Sequence, residues 1–307
     1  MISIIIPTHN ASAFILDTLK SVAAQTFQDF EVIVVDDGSV DTTCAIVQRF
    51  AIKDPRVKLV KQANAGPSAA RNRGVQESCA GSTELIFLDA DDVWEPKALE
   101  ILRHVLYSSP ESAAAYGVAV EIDLNGNVID TETYAFHQRL RVMVQQGRVV
   151  TVPDDHPTTF ACEIVTEVIV TCGTVLLRRK AYELTNGWSE DIRLWEDWDF
   201  WLRLSRVGDF RFIDQTVLRK RTHLSNLSSN WIAVELGERA VRQRLLGSLT
   251  SSPTLLRDAK VGAQFHHRRM IRDRIAWIRD SVLKGELLPA LKQSHHVAKL
   301  LLQGPVR

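Results

Sequence analysis

The sequence predicts an α/β fold: a mostly parallel, Rossmann-like central sheet with helices on both faces, plus a C-terminal helical extension. Three observations predict it. Over the first 110 residues, short apolar runs alternate with helix-length segments, the pattern of successive βα units. Several of these runs end directly in polar clusters. From about residue 227 onward the strand pattern gives way to helical segments.

Residues 3–6 form an apolar run before Pro7, as expected of a buried parallel strand. Residues 12–24 read as a helix, with Phe14, Leu16, Leu19 and Val22 at roughly helical spacing and Ser12 placed to cap it. A second strand at 31–35 runs into Asp36-Asp37-Gly38-Ser39, and a helix follows at 41–51. A third strand is expected at 57–60, a helix at 67–78 with Pro67 in its first turn, a fourth strand at 85–88 and a helix at 96–106. Beyond Pro110 the pattern changes. Residues 113–122 read as a strand before the turn Leu124-Asn125-Gly126-Asn127. Residues 131–165 are poorly periodic and are expected to be loops and short helices. A strand is expected at 168–178, a helix at 195–206, a short strand at 216–218, and helices at 232–249, 255–284 and 289–302. The expected division is a catalytic domain over 1–226, with halves 1–110 and 111–226, and a helical region over 227–307.

Composition excludes several classes. The 307 residues are 45% hydrophobic and 24% charged, ordinary values for a folded chain. Lys and Arg total 37 and Asp and Glu total 37, so nothing suggests nucleic-acid binding by bulk charge. Cys44, Cys79, Cys162 and Cys172 form no C-x-x-C pair, which suits a reduced, cytoplasmic setting. Residues 1–7 lack a basic leader, and no run of about 18 apolar residues is present to span a membrane.

Ligands of open α/β sheets bind at the carboxyl ends of the strands. The clusters Pro7-Thr8-His9-Asn10, Asp36-Asp37 and Asp89-Ala90-Asp91-Asp92 all follow strands and should therefore meet at one sheet edge. In the last cluster, three adjacent carboxylates repel one another unless positive charge compensates. A hard divalent cation on oxygen ligands is the usual solution; a solvated helix-capping turn is the alternative. Asp36-Asp37 suits either a turn or a hydrogen bond to a base or ribose. No G-x-G-x-x-G follows the first strand, which disfavours a nicotinamide enzyme. Arg71 and Arg73, among small residues, suit a base or phosphate, or solvent. Trp195-Glu196-Asp197-Trp198-Asp199-Phe200-Trp201 interleaves aromatic platforms with acids. It reads as a sugar-binding wall with a tuned base, or as core packing beside a helix start. Arg203 stands at i+4 from Asp199. Arg219, Lys220 and Arg221 suit a diphosphate or a solvated edge, and His223 follows them.

Together and in order, these motifs resemble family 2 glycosyltransferases of the GT-A fold. The residues carrying the resemblance are 3–10, 21–27, 31–39, Asn64-Ala65-Gly66, Ala70-Arg71-Asn72-Arg73-Gly74, Asp89-Ala90-Asp91-Asp92, Gly187-Trp188, Glu196-Asp197 and Arg203. His9 departs from it, standing where Tyr or Phe is common. The resemblance implies that Pro7, Thr8, Asn10, Asp36, Asp37, Asn64, Arg71, Asp89, Ala90 and Asp91 bind the nucleotide-sugar, expected from the family to be a UDP-sugar. It implies that Asp91 and His223 hold Mn²⁺ or Mg²⁺, that Asp92, Trp195 and Trp198 face sugar or acceptor, and that Asp197, beside Glu196, is the catalytic base of an inverting transfer. The acceptor would be a saccharide or lipid-linked hydroxyl in bacterial surface polysaccharide or glycoconjugate synthesis. A nucleotidyltransferase-like enzyme and a non-catalytic nucleotide-sugar binder are the competing readings. Basic and apolar residues mix over 265–279, so the C-terminal helices are expected to contact a membrane surface, pack on the catalytic domain or form an oligomer.

Overall fold

The computed structural model describes residues 1–223, 231–283, 294, 297 and 304–306. Its elements in chain order are β1 (Ile2–Thr8), α1 (Ile15–Ala23), β2 (Phe30–Asp37), α2 (Thr43–Ala51), β3 (Val57–Gln62), α3 (Pro67–Glu77), β4 (Glu84–Phe87), β5 (Val93–Trp94), α4 (Ala98–Tyr107), β6 (Ala114–Ile122) and β7 (Val128–Asp130). They continue with α5 (Thr133–Arg139), β8 (Val142–Gln145), β9 (Arg148–Thr151), α6 (Phe160–Glu163), β10 (Val175–Arg178), α7 (Arg179–Glu183), α8 (Glu196–Leu204), β11 (Phe210–Arg221), α9 (Trp231–Ser248) and α10 (Pro253–Leu283).

The central sheet runs β3-β2-β1-β4-β10-β6-β11-β5, with β7 beside β6. Its first four strands are parallel. β10 runs antiparallel to β4 and β6, and β11 returns parallel to β6. The carboxyl ends of β1, β2, β4 and β11 therefore share one edge. Register aligns them closely, with Thr8 beside Asp36 and Ile5 beside Phe87.

Side-chain alternation along β1 builds both faces. Ile2, Ile4 and Ile6 pack with Ile15, Leu19 and Val22 of α1, Val47 of α2 and Leu99, Leu102 and Leu106 of α4. Ile5 points the other way, onto Leu85, Phe87, Trp188, Phe200 and Trp201. Each wholly buried Ile contributes roughly 1.5–3 kcal/mol. Gly74 lets α3 lie close on this face, since an added Cβ would overlap the Ile5 side chain. Gly74→Ala is therefore expected to destabilise the chain by about 1–3 kcal/mol, despite the better helix propensity of Ala. A lowered urea midpoint checks this, and an unchanged or raised one contradicts it.

Several predicted elements need correction. Ser12 does not cap α1: the helix begins at Ile15 with no side-chain cap, and the Ser12 N–H donates to Asp41 instead, at 3.1 Å. Of the strand expected at 168–178, only Val175–Arg178 forms. Cys172–Thr174 is a tight 3₁₀ turn, and the Gly173 carbonyl accepts the Trp94 indole N–H at 2.7 Å. Residues 131–165 include an unexpected hairpin, β8–β9. Its turn is Gln146-Gly147, both at positive φ, the geometry that matches strand twist in a two-residue hairpin. β11 is much longer than the predicted 216–218.

The C-terminal helices have an apolar partner. Val241, Leu245 and Leu246 of α9, Leu249 in the turn after it and Ala259 of α10 pack with Val142, Val144, Ile164, Val165, Trp198 and Leu202. Of the predicted helix at 289–302 only residues 294 and 297 are described, both helical, and the 226/227 boundary lies outside the described residues. Among the described residues no helix is long and apolar enough to cross a membrane.

Candidate active site

At the β1 edge, three loops are tied together. Asn10 takes positive φ, a conformation Asn tolerates better than most residues. Its N–H donates to Ser39 Oγ at 2.9 Å, and its Oδ1 accepts the Val40 N–H at 2.9 Å. His9 Nδ1 lies 2.8 Å from the Asp37 carbonyl oxygen and Nε2 lies 2.9 Å from Asn10 Nδ2, the pattern of an Nδ1–H tautomer. His9 thus closes the first loop on the second. Asp37 accepts the Ala65 and Gly66 N–H groups and the Gln62 amide, each at 2.8 Å. Much of its hydrogen-bonding capacity therefore fixes the loop bearing Asn64. Thr8 Oγ1 and Asp36 Oδ1, on register partners, are buried without a hydrogen-bond partner among the described residues, which is where buried polar atoms need explaining. Pro7 stands between Ile6 and Thr8 within β1.

The acidic loop after β4 is held from several sides. Thr18 of α1 donates to the Ala90 carbonyl at 2.9 Å. Arg221 donates its backbone N–H to Asp92 Oδ1 at 2.9 Å and its Nε to the Asp91 carbonyl at 3.0 Å. Asp92 is wholly buried. Burial, with Asp91 and Asp89 adding repulsion, pushes its carboxyl up to about 8 despite nearby Lys220. The expectation that Asp92 faces a sugar is corrected: it has no exposed surface and anchors β11. Strand alternation splits the basic trio. Arg221 is buried in the loop contacts, Arg219 pairs with Glu95 at 2.6 Å, and Lys220 alone faces the acids. Although burial opposes its charge, Asp92, Asp89, Tyr134 and Asp91 together hold the Lys220 ammonium well above its ordinary range. Lys220 is the member of the basic trio that sequence reasoning left between a diphosphate and a solvated edge, and the structure sets it among the acids. Its alternation with Arg219 and Arg221 was the available signal once the strand reached that far. Asp91 Oδ2 lies 2.9 Å from His223 Nε2, and Phe14 stacks on that imidazole at 4.8 Å.

Arg71 joins this loop to the second acidic cluster. Only 4% exposed, it donates to Asp89 Oδ1 at 3.0 Å and Glu196 Oε1 at 2.9 Å, and its guanidinium lies 4.6 Å from the Trp188 ring centroid. Burial would raise the Asp89 carboxyl, but Arg71 and Lys220 bring it below its ordinary range. Arg73 instead pairs on the surface with Glu77.

α8 begins at Glu196, after Trp195 at positive φ. Asp197, half-buried, accepts the Trp198 N–H at 2.9 Å. Burial, then the Glu196 charge, push its carboxyl up to about 7, with Arg71 opposing. The expected pairing of Arg203 with Asp199 is present at 2.8 Å. Trp198 is corrected: it is 0% exposed, sits in the core under α9 and donates its indole N–H to the Glu163 carbonyl at 3.1 Å. It supports the wall, whereas half-buried Trp195 lines a cavity beside it. The structure thus brings the acidic loop, Arg71, Glu196 and Asp197 to one site, with the loops after β1 and β2 along the same sheet edge.

Comparison with known proteins agrees with the class this arrangement suggests. The model of glycosyl transferase family 2 matches residues 3–183, and the chain belongs to that family. The chondroitin synthase of Escherichia coli is 30% identical over 229 residues, 74% of this chain and 30% of that protein. The hyaluronan synthase of Pasteurella multocida is 26% identical over 235 residues, 76% of this chain and 22% of that protein. The chain thus spans less than a third of the length of these relatives. Among solved structures, Staphylococcus aureus TarS 1–349 in complex with UDP-GlcNAc has a TM-score of 0.63 at 19% identity, covering 87% of this chain and 72% of that one. The Pyrobaculum calidifontis mannosyltransferase PcManGT, in complex with GDP-Man and Mn²⁺, has a TM-score of 0.64 at 17% identity, covering 98% of this chain and 80% of that one. These likenesses establish the GT-A fold.

Proposed function

We propose that the chain transfers a sugar, with inversion, from a nucleotide-sugar to an acceptor hydroxyl. The observation that carries this reading is the Arg71 bridge, which sets Asp197 beside the acidic loop of the donor side. A UDP-sugar donor is favoured by the motif resemblance and by the UDP-GlcNAc complex of the structural neighbour. The named relatives favour a saccharide acceptor and a role in polysaccharide synthesis. A setting at the inner membrane face fits a lipid-linked acceptor. In this reading Pro7, Thr8, Asn10, Asp36, Asp37 and Asn64 shape the nucleotide pocket, and Asp89 and Ala90 lie beneath the ribose and sugar. Arg71 orients Asp89 and Glu196.

The donor set suits a divalent cation. Asp91 and His223 converge, and among the described residues no group of three His, Cys, Asp or Glu side chains could hold a metal ion. Diphosphate oxygens and water would complete the shell, as Mg²⁺ commonly prefers. Asp91 and His223 would hold Mn²⁺ or Mg²⁺, and the bound ion would supply Lewis-acid relief of diphosphate charge. Lys220 contributes fixed positive charge to the same loop. Chelation is expected to abolish transfer and Mn²⁺ or Mg²⁺ to restore it; full turnover in excess chelator would contradict the metal assignment.

Asp197 does the proton work. As the acceptor oxygen bonds to the sugar anomeric carbon, the carbon–oxygen bond to the diphosphate breaks on the opposite face, and Asp197 takes the hydroxyl proton. A base serves only when deprotonated, and one near neutrality is well matched to this task. The kcat/KM for transfer should therefore rise with pH through about 7. A profile flat from pH 5 to 8 would contradict the assignment. Release of UDP from UDP-sugars, with the product anomer read by NMR, tests the function itself: retention of configuration or no turnover of any nucleotide-sugar would overturn it.

A further inference from the structure

A cavity of about 420 Å³ lies between α5, the segment after α6, and α10, within the size range of small-molecule sites. Its walls include Trp195, Thr166, Glu167, Arg269, Met270 and Asp273. Trp195 stands two residues before Asp197, and Glu167 lies within electrostatic reach of the Asp197 carboxylate, so the cavity adjoins the candidate base. Trp195 and α10 both fall beyond residues 3–183, the span matched by the family model. This wall is therefore where the chain is free to differ from other members of the family.

The Trp195 ring is locked into the wall. The residue takes φ +66°, a genuine outlier for a bulky side chain, and such outliers persist only where the surroundings fix them. Here the indole N–H donates to the Val234 carbonyl of α9 at 2.6 Å, and the ring meets Trp198 and His266 edge-on. Gly237 lets α9 close on it: an added Cβ would stand 3.0 Å from the Trp195 ring. α10 is seated as tightly. A Cβ at Gly262 would overlap the Val165 Cα at 2.5 Å, so the helix rests on the backbone that leads into Thr166 and Glu167. Both sides of the cavity are thus preformed, which lowers the cost of ordering them around a ligand.

The charges in the wall answer one another. Arg269 has Asp273 at 3.5 Å and His137 Nδ1 at 2.9 Å, and Arg274 has Glu235 beside it. An anion entering here would compete with Asp273 for Arg269, and a cation would compete with Arg269 for Asp273. An uncharged sugar ring needs neither exchange. Its C–H face packs on an aromatic plane, and each hydroxyl both donates and accepts, which matches a rim of mixed donors and acceptors. We propose that this cavity seats an uncharged sugar ring of the acceptor, stacked on Trp195, and that α10 sets which sugar is admitted. The inference rests on the transfer reading above and deepens it.

The experiment measures binding of the methyl β-glycosides of glucose, galactose and N-acetylglucosamine to the full chain by saturation-transfer NMR, with methyl β-D-glucuronide as the anionic control. At least one neutral glycoside should bind more tightly than the glucuronide, with saturation strongest on the C–H protons of one ring face. Trp195→Ala should weaken that binding roughly tenfold. Met270→Trp, which fills the cavity from α10, should abolish it, and retained UDP binding shows that both variants are folded. With a UDP-sugar that the chain turns over, the bound glycoside should speed UDP release, and Met270→Trp should remove that acceleration while leaving the donor KM unchanged. No binding of any neutral glycoside, tighter binding of the glucuronide, binding unchanged in either variant, or binding that leaves the rate of UDP release unaltered would overturn the proposal. No UDP release from any UDP-sugar, with the Trp195-dependent binding intact, would instead count against the transfer reading alone.

Discussion

Asp197→Asn is expected to lower the rate of transfer by roughly 10²–10⁴-fold, the range typical of a lost general base, while leaving donor affinity near its original value. The reason is local. The Asp197 carboxylate lies beside Glu196 on a buried helix start, so its proton affinity is near neutrality, and an amide of the same shape cannot take a proton. Stability should move the other way. A carboxyl raised in the folded state favours folding as pH falls from about 7 toward the ordinary carboxylate range, and works against folding above it. At pH 8 the amide removes that unfavourable charge, so the variant should melt no lower than the parent chain. Turnover by coupled UDP release, donor binding by calorimetry and melting by circular dichroism check the three parts. Near-normal turnover in the variant would remove Asp197 from the chemistry.

Arg71→Met should have the largest structural effect. The guanidinium is the shared partner of Asp89 and Glu196. Its loss leaves two acids facing each other and Asp197 without the cation that opposes their charge. Breaking a buried pair in this way costs about 3–5 kcal/mol, visible as a lowered urea midpoint. At pH 8 the cost should be larger than at pH 5, because protonation of the stranded acids relieves it. A variant as stable as the parent at both pH values would show that the bridge is not what unites the two clusters.

Much of this architecture is written into local sequence. Apolar runs ending in polar turns were enough to place 7–10, 36–37 and 89–92 at one edge, because parallel strands carry their loops to the same side. The helix around Glu196-Asp197 and the Asp199–Arg203 pair follow from spacing alone. Other features depended on partners distant in the chain. Trp198 reads as a platform until α9 and the 142–165 region cover it. Asp92 reads as a ligand until the Arg221 N–H, on the far strand of the sheet, claims it. Lys220 separates from Arg219 and Arg221 only when β11 is known to run to Arg221. The β8–β9 hairpin was hidden because Gln146 is not a residue that announces a positive φ, unlike the Asn-Gly turns that mark such hairpins. The Arg71 bridge joins residues 125 positions apart, a separation no local pattern reports.

The measurement that bears most directly on the central claim is the structure of the chain crystallised with a UDP-sugar and Mn²⁺. The expected result places the anomeric carbon between the Asp89–Asp91 loop and Asp197, with the uridine over the Thr8, Asp36 and Asn64 loops. A sugar lodged away from Asp197, with another group facing its anomeric carbon, would contradict it.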